Sequence, residues 1–216
     1  MKHTLRLAGI LGTAALAVPY LATAESNVQS GAATSNPGAT AHVDFTIVIP
    51  KILYLRVGTG SSYTTGVYTS NPAVDLITFS PAAGVVGNGA AVAGTGGDQG
   101  GPPATGAETA AIVSNSGNVT LNVTSNGALN DGGADTIAFT QITTTPKTLT
   151  SATALPAPAL VNGASANVVI NAPATKVIVQ DAVWTYTYNN TTLPPAGTYG
   201  GVNINNGRVV YTATMP

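Results

Sequence analysis

The sequence predicts an all-β domain, a sandwich of two sheets, and three observations carry that prediction. Short runs rich in Val, Ile, Thr, Tyr and Phe recur from residue 42 to the end, each bounded by Gly, Pro, Asn or Asp. Several alternate apolar and polar residues with period two, the repeat of a strand with one buried face. No amphipathic helix pattern breaks the series, and eight or nine short strands of this kind describe a sandwich.

The elements follow in order. "MKHTLR", "LAGILGTAALAVPYL" and "ATA" give a basic start, an apolar run and a small-x-small site, the order of a secretory signal peptide over residues 1–24 cleaved after Ala24. Pro19 and the shortness of the run suit cleavage better than membrane anchoring. "ESNVQSGAATSNPGAT" (25–40) is small, polar and aperiodic, and reads as a flexible leader. A single domain is expected over 41–216.

The domain opens with "AHVDFTIVIPKILYLRVG". Val43, Phe45, Ile47 and Ile49 point one way and His42, Asp44, Thr46 and Val48 the other. Pro50 lacks a backbone donor, which sheets tolerate at an edge, a strand start or a bulge. It is expected to hinge the run 41–49 against a second strand, 51–57. Further strands are expected at 74–79, 110–114, 118–124, 135–142, 166–170, 181–188 and 206–215, with turns at "SNSGN" and "NNGR". Residues 81–106 hold little but Gly, Ala, Pro and Val and are expected to form a long mobile loop, because dense glycine loses much backbone entropy on ordering. Residues 143–158 read as a stiffer, extended Pro-containing stretch.

Composition narrows the function. Only 7% of residues are charged, against about 25% in typical soluble domains, so Thr, Asn, Ser and Gln must supply the polar surface. Such a neutral surface suits cell-surface and fibre proteins. Without Lys2 and Arg6, five of the seven basic residues remain against eight acidic ones, a net charge of about −3 that offers nucleic acid no basic footprint. Cysteine is absent, which removes thiol catalysis, Cys-based zinc sites and disulfides.

Motifs for chemistry are sparse, and neither an enzyme nor a cofactor is expected. His42 is the one histidine after the leader, and it shares a strand face with Asp44 without a nucleophile motif beside it. The carboxylates are scattered, mostly at strand starts or in glycine-rich turns. "NDGGADTI" places Asp131 and Asp135 around two glycines, a calcium-like spacing in a single incomplete copy. Trp184, Tyr186 and Tyr188 form a period-two aromatic stripe, to be read as core packing or as a face for stacking on a glycan.

The closing segment, "PPAGTYGGVNINNGRVVYTATMP", resembles the end of secreted immunoglobulin-like sandwiches. It is similar to bacterial fimbrial subunits and, less closely, to Gram-positive WxL surface domains; here the motif is "WTY" and a second W-x-L is absent. "HVDFTIVIPKILYLRVG" resembles the mature start of cysteine-free fimbrial major subunits of the colonisation-factor (class 5) type. The likeness covers about forty residues at the two ends. It implies an immunoglobulin-like sandwich that lacks one strand and receives it from a neighbour, with Val43, Phe45, Ile47 and Ile49 as the donated side chains. The strand has two partners open to it: its own domain in an isolated chain, or the next copy in a fibre.

The expectation is therefore a secreted structural or adhesive protein of a bacterial surface, a pilus or biofilm fibre subunit. Its expected partners are further copies of itself, head to tail, and a periplasmic chaperone. The alternative is a monomeric module that binds carbohydrate or cell wall.

Overall fold

The computed structural model describes residues 26–63, 66, 68–99 and 105–216; the expected signal peptide lies outside them. The chain divides into two units, Met1–Ile49 and Pro50–Pro216. Residues 26–49 form no strand, and their apolar side chains are exposed. The strand expected at 41–49 is therefore not formed: its alternation is real, but no ladder satisfies its backbone.

The second unit is all-β and antiparallel, without an α-helix among the described residues. Its larger sheet is built on β9 (Ile178–Tyr188), whose eleven residues make it the longest described strand. On one side β9 pairs with β3 (Ala107–Ser114), which in turn pairs with β1 (Leu53–Val57). The two-residue β2 (Val92–Ala93) continues the β3 side at Thr187 and Tyr188. On the other side lies β7 (Ile142–Lys147). Pro146 sits inside β7, which is allowed because β7 pairs with β9 alone and one of its sides needs no donor.

The smaller sheet has the order β10 (Val209–Thr214), β4 (Val119–Ser125), β8 (Val168–Ile170). A short hairpin of β5 (Leu129–Asn130) and β6 (Thr136–Ile137) stands apart from both. Both sheets feed one core, as period two requires. Ala110 and Ile112 of β3 and Ile178, Ala182, Trp184 and Tyr186 of β9 meet Val119, Leu121 and Val123 of β4 and Ile170 of β8, with Phe139, Leu155 and Leu160 filling between them. All of β3 is buried on both faces, because Tyr63 covers Ala111 and Val113 from outside.

Three expectations change. Residues 74–79 join no ladder; Thr78 alone bridges to Thr95 through two hydrogen bonds of 2.9 and 2.8 Å. The run at 135–142 divides into β6, a 3-10 turn at Phe139–Gln141 and the start of β7, which continues into the expected extended stretch.

The glycine-rich segment, expected to be mobile, is folded in its described part. It contains a 3-10 turn at Ala83–Val85 and β2, and the buried Asn190 pins it. The Asn190 amide donates to Val85 and Ala90 carbonyls and accepts from Gly87 N–H. Glycine is needed where Gly106, at φ 68°, lies so close to Gly94 that an added Cβ would fall 2.5 Å from its backbone. A folded polar anchor here offsets the entropy that composition alone suggested would prevail.

Candidate functional site

β1 and β10 are edge strands, one in each sheet, and nothing among the described residues pairs with their outer sides. They are brought together at one end. Lys51 Nζ donates to the Pro216 carbonyl at 2.8 Å, and Ser114, opposite Leu53 in the ladder, places its Oγ 3.7 Å from Met215 Sδ. The first strand thus begins where the last one ends.

The inward side chains of these two edges are Leu53, Leu55 and Val57 on β1 and Val209, Tyr211 and Ala213 on β10. All six pack against the core yet remain half-buried. Their counterparts on the inner strands are closed: Ala110, Ile112, Val119 and Leu121 are 0% exposed. The core is sealed in its middle and open along one flank. Separately, a channel of about 430 Å³ runs beside β1, lined by all five residues of β1 and by residues 59–61, 68–71 and Ala73. An edge with free N–H and C=O groups beside half-covered apolar side chains is a template for another strand.

Pro50, the expected hinge, is fixed on its domain side. Asn115 Nδ2 donates to the Pro50 carbonyl and Asn115 Oδ1 accepts from Ile52 N–H, both at 2.8 Å. The turn "SNSGN" that supplies Asn115 is legible in the sequence; its role as a clamp is not. On the other side of the hinge, Val43, Phe45, Ile47 and Ile49 are 73, 88, 85 and 74% exposed.

The aromatic stripe lies in the core. Trp184 is fully buried and its indole N–H donates to the Leu155 carbonyl at 2.8 Å. Tyr186 shares a hydrogen bond of 3.1 Å with Tyr211, and Tyr188 is buried with an unpartnered hydroxyl. Rings so enclosed offer no face to a sugar. Asp131 and Asn130 serve the turn before β6, accepting from Gly133 and Gly132 N–H, and no group of three His, Asp or Glu side chains among the described residues is arranged to hold a metal ion.

No family model, curated protein or solved structure matches this chain. The flank and the exposed segment must therefore be interpreted from their own chemistry.

Two carboxylate clusters escaped the sequence reading. Asp181, on the outer face of β9, accepts hydrogen bonds from Tyr63 Oη and from the backbone and hydroxyls of Thr150 and Ser151. Burial opposes its ionisation, but these bonds outweigh burial and hold the carboxyl well below the usual range. It ties two loops to the sheet. The second cluster brings Asp75, Asp98 and Glu108 together at one end of the core. Its signal was Glu108, the one charged residue in the apolar run "AETAAIVS".

Proposed function

We propose that the chain is a secreted structural subunit of a bacterial surface fibre, an immunoglobulin-like sandwich short of one strand that takes it from the next copy. The supporting observation lies in two features of the one chain. Four alternating apolar side chains stand exposed at 43–49, and half-buried apolar side chains line two unpaired strand edges.

The halves correspond chemically. An extended segment of period two would give its backbone groups to the free edges and its four anchors to the half-covered core. Burial of each anchor is worth about 1.5–3 kcal/mol before the cost of ordering the segment. Because donor and acceptor are different surfaces of one chain, the joint is heterologous, and repetition gives an open filament. The sparsely charged, Thr- and Asn-rich composition suits a surface that works as packed material.

The test uses the protein without residues 25–49 beside the full chain. The full chain is expected to run as a ladder of oligomers that survives mild detergent, and the deletion as monomer. A synthetic peptide of residues 41–49 should raise the Tm of the deletion in a concentration-dependent way, as any ligand of the folded state does. The same peptide with Asp at the Phe45 and Ile47 positions should not. A full chain that stays monomeric at high concentration, with no response of the deletion to the peptide, overturns the proposal.

A further inference from the structure

We infer that Asp75 and Glu108 form a proton-held latch, which keeps residues 74–79 closed over one end of the core and releases them when Glu108 loses its proton. The inference concerns the domain itself and stands whether or not the flank accepts a strand.

The latch is built from three sides. Glu108 lies on the inward face of β3, in line with Ala110 and Ile112, and is 4% exposed. Asp75 belongs to the strap 74–79, which packs Ile77 and Phe79 on the core while Val74 and Leu76 face out. Asp75 also accepts from Thr59 N–H at 2.5 Å and from the Thr59 hydroxyl at 2.9 Å, so it holds the chain leaving β1. Gly58 lies between the carboxyls: a Cβ there would be 2.5 Å from Asp75 Oδ2 and 2.7 Å from Glu108 Oε2. Only a residue without a side chain lets the two acids close on each other.

Every element packed around Glu108 presents a group that matters to its charge. The strap presents Asp75. The segment before β3 presents Asp98, whose backbone N–H lies 3.4 Å from Glu108 Oε2. Arg56 of β1 lies on the other face of the sheet, where Asp98 takes its guanidinium at 2.6 Å and the Gly58 carbonyl takes its Nε at 2.7 Å. β9 and β10 present the Tyr186 and Tyr211 hydroxyls, which are bonded to each other. Acids thus surround Glu108, and the arginine beside them is already engaged. A buried carboxyl with a second acid beside it favours its neutral form. Burial first, then the charge and hydrogen bond of Asp75 and the charge of Asp98, push the Glu108 carboxyl up to about 8.

The sign follows from linkage. The closed latch holds a proton that the open strap, with ordinary carboxyls in water, gives up. Opening therefore becomes easier as pH rises from the ordinary carboxyl range, and the effect levels off above about 8.

Amide hydrogen exchange at Thr78, whose N–H is bonded to Thr95, and at Thr59, whose N–H is bonded to Asp75, reads the latch directly. After correction for intrinsic chemistry, protection at both should fall by up to about tenfold per pH unit between about pH 5 and 8. Glu108→Gln, which keeps the neutral form at every pH, should flatten the profile while Thr78 stays protected. Should that variant not fold, Asp75→Asn keeps Glu108 and removes the acid beside it, so its slope should be shallower over the same range. A wild-type profile without slope, or an equal slope in the variant that folds, overturns the inference.

Discussion

Residues 43–49 and strand β9 are written in the same code and meet opposite fates. Both alternate large apolar side chains with polar or small ones. In β9 the stripe Trp184, Tyr186, Tyr188 is 0, 6 and 6% exposed; in the first segment Val43, Phe45, Ile47 and Ile49 are 73–88% exposed. β9 has β3 and β2 on one side and β7 on the other, and a second sheet over its inward face. The segment 43–49 has no strand on either side. Alternation tells which side chains will share a face. It does not tell whether this chain supplies the partner that covers them.

Substitutions sharpen the contrast when made at matched positions. The largest effect belongs to Trp184→Ala, which empties the centre of the core and leaves the Leu155 carbonyl without its donor. Urea unfolding should show a loss of about 3–5 kcal/mol; a loss under about 1 kcal/mol would mean that the stripe is not the keystone of the larger sheet.

An intermediate effect belongs to Asp181, because its carboxylate is held ionised by hydrogen bonds that exist only in the fold. Its folded pKa is depressed, so the stability it gives is present above the ordinary carboxyl value and is lost as pH falls through that range. Glu108 acts in the opposite sense: its raised pKa makes the fold lose stability as pH rises towards about 8. Together they place maximum stability at about pH 4–5, with an acid limb that Asp181→Asn removes. That variant should also cost about 1–3 kcal/mol at neutral pH. Chemical denaturation from about pH 2 to 9 reads both limbs; a maximum at pH 8 contradicts the Glu108 assignment, and stability that does not fall as pH drops below about 4 contradicts that of Asp181.

The smallest effect on stability belongs to Phe45→Ser. Removing a ring that is 88% exposed should change the unfolding free energy by less than about 0.5 kcal/mol, yet the same change should weaken oligomer formation. A substitution invisible to unfolding and visible to assembly is the signature that separates the two stripes.

Much of the second unit was legible. Strands at 107–114, 119–125, 178–188 and 209–214 lie where β-branched and aromatic residues cluster between turn signals. The errors share a physical origin in interactions distant in sequence. Asn190 orders the glycine-rich segment from about a hundred residues away, which composition does not record. Residues 74–79 have a strand's alternation, but Asp75 is drawn to Thr59 and Glu108 instead of into a ladder. Prolines such as Pro146 made residues 143–158 read as an extended stretch outside the expected strands, although an edge strand tolerates a missing donor. That β1 and β10 would be the edges was not legible from the residues, because strand order is set by pairings distant in sequence.

The clamp at Asn115 has a mechanical consequence. In a filament of the proposed kind, tension along the chain would enter each domain at Pro50, where the clamp and the five-residue ladder of β1 on β3 receive it together. The load would then be shared between a side-chain clamp and a backbone ladder, so that neither carries it alone.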